Sequence, residues 1–196
     1  MDRIDVLVIE SPDPLVLAGA ICARICHDMA GTLGALSGML DMQHEDGADS
    51  DTLEVARSCA RDLTLRLRLL RAAWGGDSEV PDLAVAVVAL PNAERLRVDM
   101  GGLPADQEEA MRRLCVSLLI VAAGALPRGG TITLAGGTNA LSLMIEGQRA
   151  AWPALLLAQD LRTTDLRSVS AAMVCLQARS MGLAVRVVSP TVIEVG

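Results

Sequence analysis

The sequence predicts an α+β chain in two parts: an antiparallel helical hairpin over residues 1–76 and an α/β sandwich over residues 77–196. Three observations carry this reading. Heptad-like apolar spacing runs from Leu15 to Gln43 and again from Leu53 to Trp74, with a short polar link between. Past Asp77-Ser78-Glu79-Val80-Pro81 the pattern changes to short strand-like runs mixed with helices. The chain is 52% hydrophobic but only 1% aromatic, with Trp74 and Trp152 alone, so its core is aliphatic.

Ser11-Pro12-Asp13-Pro14 marks the start of the first helix, because proline is tolerated in a first turn. Its seam is Leu15, Ala18, Cys22, Ile25, Met29, Thr32, Leu36, Met39 and Gln43, and it should end near His44-Glu45-Asp46-Gly47. Asp49-Ser50-Asp51 supplies a cap for the second helix. Its seam is Leu53, Ala56, Ala60, Leu63, Leu67, Leu70 and Trp74, and Gly75-Gly76 stops it. A hairpin of this size secures only about 3–5 kcal/mol from its own core. It is therefore expected to pair with a second copy, as a four-helix bundle in a homodimer.

In the second part, the apolar run Leu83 to Leu90 fits a strand or a helix, and Arg95 to Asp99 alternates like an exposed strand. Pro104 to Leu126 reads as a helix with Glu108, Glu109, Arg112 and Arg113 on one side. Thr131 to Leu134 and Leu141 to Glu146 read as a hairpin. Trp152-Pro153 opens a short helix, and Asp165 to Met181 forms a longer one. Leu183 to Val188 and Thr191 to Val195 are the last strands of one mixed or antiparallel sheet.

All 17 basic residues are arginine, so chemistry that needs a lysine is excluded, including the Gly-Lys phosphate loop and Schiff-base catalysis. A net charge of −7 argues against nonspecific nucleic-acid binding. The odd set Cys22, Cys26, Cys59, Cys115 and Cys175 reads as reduced core thiols, which fit a cytoplasmic protein. Asp2, Asp5, Glu10 and Asp13 interrupt the N-terminal apolar run, so neither a signal peptide nor a membrane span is expected.

The candidate chemistry centres on Arg24-Ile25-Cys26-His27-Asp28-Met29. His27 lies two residues, or about 200°, past the seam residue Ile25, so it should face solvent. Asp28 can orient one ring nitrogen or take its proton, leaving the other to attack phosphorus. Ala20, Ala23, Ala30, Gly31 and Gly34 keep the surroundings small, although each glycine costs about 0.5–1 kcal/mol of helix stability. Close approach by another protein would account for that cost; close packing between helices would also do so. On the second helix Arg57, Arg61, Arg68 and Arg71 share a stripe, with Arg66 beside it and one aspartate among the five arginines. Such a stripe attracts an acidic partner or a phosphoryl group, or is simply a solvated face. Cys22, Cys26 and His27 could also be read as a metal site, but Cys22 lies on the seam and His27 opposite it, so no metal is expected.

The block Ala23 to Met29 followed by Gly34-Ala35-Leu36 resembles the phosphoacceptor helix of ChpT-type histidine phosphotransferases. Leu70 to Gly75, Ala122 to Gly130 and the helix near Val169 to Gly182 are similar to the same family in the same order. The resemblance implies a dimeric four-helix bundle bearing phosphohistidine at His27. It also implies a C-terminal domain like a degenerate histidine-kinase ATP-binding domain. The implied partners are receiver domains of a hybrid kinase and of response regulators, with Mg²⁺ held by the receiver and no cofactor bound here. Arg24, Gly31, Gly34 and the four stripe arginines would dock that partner.

The asparagines a kinase needs ahead of its Pro-x-Gly-Gly turn are replaced by Ser117 and Val121. Glu146-Gly147-Gln148-Arg149 stands for the nucleotide-binding Asp-x-Gly-x-Gly. ATP-dependent kinase activity is therefore not expected. Thr32 replaces the family's usual proline, and Gly31 offers a similar bend. That departure also fits an alternative, a dimeric module that binds or sequesters a receiver without accepting phosphate.

Overall fold

The computed structural model describes residues 13–46, 50–75, 79–158 and 168–196. The expected signals at Ser11-Pro12, Gly47, Asp49, Gly76, Asp77-Ser78 and Asp165 lie outside these residues.

Helix α1 spans Pro14–Asp46 and α2 spans Ser50–Trp74, giving the expected hairpin. Asp13 caps α1: its Oδ1 accepts from the Leu15 backbone N–H at 2.8 Å, with Pro14 at the first helical position. The chain continues through α3 (Leu83–Val88), β1 (Leu96–Gly102), α4 (Glu109–Ala125), β2 (Gly130–Gly136) and β3 (Leu141–Glu146). It ends with α5 (Ala154–Ala158), α6 (Val169–Ser180), β4 (Val185–Ser189) and β5 (Val192–Val195). The sheet order is β1-β2-β3-β5-β4. The β1–β2 pair is parallel and joined across α4; the other pairs are antiparallel.

The run from Leu83 resolves as a helix because Asp82 caps it, accepting from the Ala84 N–H at 2.7 Å. The helix expected from Pro104 begins later, at Glu109, and its first buried residue is Met111. The turn Pro127-Arg128-Gly129-Gly130 requires its glycines. Gly129 has φ +82°, and a Cβ there would collide with the Arg95 backbone.

Helix α4 is buried almost all round and forms the centre of the core, with Leu114, Leu118 and Leu119 fully enclosed. From the sheet, Ile132, Leu134, Leu143, Ile145 and Ile193 meet it. Ile193→Val removes one enclosed methylene and should cost about 0.5–1.5 kcal/mol, measurable by urea unfolding.

The core does not stop at residue 76. Leu69 and Ala73 of α2 belong to it, and Leu17, Leu65, Leu70 and Trp74 pack against it. Polar contacts fasten the same joint. Arg113 Nη1 donates to the carbonyls of Ala72 (2.7 Å) and Gly75 (2.9 Å), and its Nη2 donates to Glu109 (2.8 Å). Gln177 Nε2 donates to the Ala73 carbonyl at 2.6 Å. These are the carbonyls a helix leaves unpaired at its C-terminus. Arg113, expected on one side of the helix with Glu108, Glu109 and Arg112, is 16% exposed and ties the hairpin to the sandwich.

Most of α1 has no such cover. Pro14 to Met42 is long and apolar enough, by length and composition, to cross a membrane, and none of its most apolar window is buried within the chain.

Candidate functional site

Helix α1 presents three directions. Asp28, Met29, Thr32, Leu36 and Met39 are half-buried toward α2. Roughly 90° round the helix lies an uncovered stripe of Leu15, Cys22, Cys26, Leu33 and Leu40. His27 stands roughly 150° from the α2 line in the opposite sense, so neither α2 nor anything covering the apolar stripe would bury it. Its side chain is 72% exposed.

Asp28 joins two neighbours. Its Oδ1 lies 3.2 Å from His27 Nδ1, and its Oδ2 accepts from Arg24 Nε at 2.6 Å. Arg24, expected among the docking residues, is 24% exposed and fastened to Asp28. With Nδ1 bearing the proton toward Asp28, the lone pair of Nε2 points to solvent. The arrangement offers one nucleophilic nitrogen, one acceptor for the ring proton, and open space for a reacting partner.

Gly31 and Gly34 are exposed, and a Cβ added at either would meet nothing within 4 Å. The chain's own packing therefore does not require them. Helix α1 runs unbroken through Gly31 and Thr32.

Arg57, Arg61, Arg68 and Arg71 are all exposed. Counting equally back from Asp46 and forward from Ser50, His27 stands level with about residue 69 of α2. Arg68 and Arg71 bracket that level. Arg61 and Arg57 lie roughly 12 and 18 Å further toward the hairpin tip, where Arg57 has Glu54 at 3.9 Å. The stripe thus divides into two arginines beside the histidine's level and two remote from it.

Among the described residues no group of three or more His, Cys, Asp or Glu side chains could hold a metal ion. Of the cysteines expected in the core, Cys115 is buried there and Cys175 is half-buried against it, whereas Cys22 and Cys26 are exposed on α1. Burial raises the pKa of Cys115 and Cys175 to about 12 and about 11, against weaker lowering by Gln107 and Arg179 respectively. At neutral pH they hold almost no thiolate. Iodoacetamide should leave both unmodified in the folded protein and alkylate them only after denaturation, as read by peptide mass mapping.

Residues 80–191 match the family model described as the histidine phosphotransferase C-terminal domain. Protein phosphotransferase ChpT of Brucella abortus (strain 2308) is 28% identical over 126 residues, covering 61% of this chain and 60% of that protein. The chain thus spans about three fifths of that relative's length. A solved structure described as a bacterial phosphotransferase matches with a TM-score of 0.76 at 23% identity, over 96% of this chain and 99% of that one. At that identity the likeness carries the fold alone. The family model, however, spans more than half of the chain, which belongs to the histidine phosphotransferase family and is of the ChpT type.

Proposed function

We propose that this chain is a phosphorelay intermediate in which His27 takes a phosphoryl group from the receiver domain of a hybrid kinase and passes it to response regulators. The observation that supports this most is the exposed His27, whose Nδ1 faces Asp28 while Nε2 is left to solvent.

In the forward step Nε2 forms a bond to phosphorus as the P–O bond to the receiver's aspartyl carboxylate breaks, and that carboxylate leaves. Asp28 accepts the hydrogen bond of the Nδ1 proton throughout, and takes the proton if the ring sheds it. The reverse step on a second receiver returns the imidazole. Positioning and charge do most of this work. The receiver brings its Mg²⁺; this chain brings His27, the small surface at Gly31 and Gly34, and Arg68 and Arg71 at the same level, with Arg57 and Arg61 offering a more distant contact.

ATP is not the donor in this reading. The chain has no lysine, and Ser117 and Val121, which stand where a kinase keeps its asparagines, are buried in the α4 core. A homodimer follows from α1: the uncovered stripe of Leu15, Leu33 and Leu40 has coiled-coil spacing, and a second hairpin would cover it as a four-helix bundle. Covering by a second copy also accounts for the apolar length of α1 without a membrane, in a cytoplasmic protein.

Incubation with a phosphorylated receiver tests the proposal. The expected result is an acid-labile, base-stable label that maps to the peptide containing His27. Tight receiver binding with no label would favour the second reading, a module that sequesters a receiver, for which Thr32 and Gly31 speak.

A further inference from the structure

We propose that Arg24 is a positioning residue for phosphotransfer, acting through Asp28 to hold the His27 ring in the tautomer whose Nε2 is free. The inference rests on the proposed role of His27 and adds a residue that acts on it indirectly.

The geometry is a chain of three side chains within about one turn of α1, Arg24 one turn before the adjacent pair His27 and Asp28. Arg24 Nε donates to Asp28 Oδ2 at 2.6 Å, and Asp28 Oδ1 faces His27 Nδ1 at 3.2 Å. The first link is short and charge-assisted; the second is longer and lies in solvent. A half-buried carboxylate next to an exposed imidazole, joined by one long contact in solvent, would not hold this arrangement unaided, because each side chain gains rotamer freedom by leaving it. Arg24 removes that freedom from Asp28. With Oδ2 fixed to the guanidinium, the carboxylate plane is set and Oδ1 stays turned toward Nδ1.

A stabilising role for the helix explains the pair less well. Ion pairs at this spacing favour an acidic residue on the N-terminal side, and here the order is reversed. A single ion pair one turn apart on a helix contributes little to stability in either order. Arg24 is also less exposed than the stripe arginines, each of which is exposed outright. Its placement suits a group that fixes a neighbour more than one that waits for a partner.

Imidazole in water prefers the tautomer with the proton on Nε2, which blocks that nitrogen as a nucleophile. The Asp28 acceptor reverses the preference, and Arg24 makes the reversal persistent. The receiver then meets a ring already in the reactive state on most encounters.

The chain has two histidines, so ¹⁵N NMR of the full-length protein with His44→Gln isolates the His27 ring. Above neutral pH, the parent should show a protonated Nδ1 and an unprotonated Nε2. Arg24→Gln should shift the ring toward the Nε2–H tautomer and slow transfer from a phosphorylated receiver by about 10–100-fold. Arg24→Lys should recover part of both. On an Asp28→Asn background, Arg24→Gln should add little, because the two act as one unit. Far-ultraviolet circular dichroism identifies any variant that fails to fold, and the lysine variant then carries the comparison.

An unchanged tautomer in a folded Arg24→Gln protein overturns the proposal, even if receiver binding weakens, since that result assigns Arg24 to docking. If the parent accepts no phosphoryl group at all, the relay reading fails, while the tautomer measurement still judges Arg24 separately.

Discussion

Replacing His27 with alanine is expected to abolish labelling by a phosphorylated receiver, with receiver binding changed far less. An acid-labile, base-stable label needs a histidine, and the chain has one besides His27. His44, the other histidine, is near the hairpin tip, 17 residues away along α1 and so roughly 25 Å distant. Asp28→Asn should give a graded version of the same loss. Asparagine can turn its amide nitrogen toward Nδ1 and so favour the tautomer with Nε2 blocked. A comparable error of tautomer in hydrolytic triads costs about 10⁴-fold, and general acid–base contributions run to about 10²–10⁴-fold. Because the link from Asp28 to Nδ1 is 3.2 Å long and lies in solvent, unlike the buried link of a triad, a loss of about 10²-fold in the single-turnover transfer rate is the expectation. Full labelling of His27→Ala would remove the foundation of the proposed function.

Arg113→Ala should have the largest effect on stability of any single charged residue described above. The side chain is 16% exposed and donates to two carbonyls at the end of α2 as well as to Glu109. Hydrogen bonds from a charged donor contribute about 1.5–3 kcal/mol, and carbonyls left without a partner add a cost when buried. Part of that is recovered by water entering the joint, so a loss of about 3 kcal/mol is expected. In a chain of this length that corresponds to a fall in Tm of roughly 6–12 °C by calorimetry. Arg113→Lys should recover less than half, because a single ammonium cannot serve both carbonyls and Glu109 in the plane of a guanidinium. A change below about 0.5 kcal/mol would show the joint to be held by apolar contact alone.

The sequence made His27 legible because helical phase is local: two residues past a seam position is enough to place a side chain. The helices of the hairpin and the β2–β3 pair were legible for the same reason. What escaped was whatever depended on distant chain. Arg113 reads as one more charge on a helix face, and only the fold brings it to carbonyls 41 and 38 residues earlier. Gln177, reaching 104 residues back to Ala73, left no sequence signal. Arg24 did leave one, its spacing of four from Asp28, but the same spacing suits a solvated pair or a docking contact. For Leu83 to Leu90 the apolar run was too short to set a period, and Asp82 decided it through a cap.

The joint between α2 and the sandwich also bears on how the molecule comes apart. Since Leu69 and Ala73 share a core with α4 and α6, and Arg113 and Gln177 seal the carbonyls between them, neither half melts without stripping the other. The hairpin excised at residue 76 would carry a raw apolar flank and a frayed end. The chain should therefore show one cooperative thermal transition, and its two halves should behave as a single lever with no elbow. A partner long enough to touch both the histidine and the sandwich would meet them at a constant spacing, so the joint serves as a ruler.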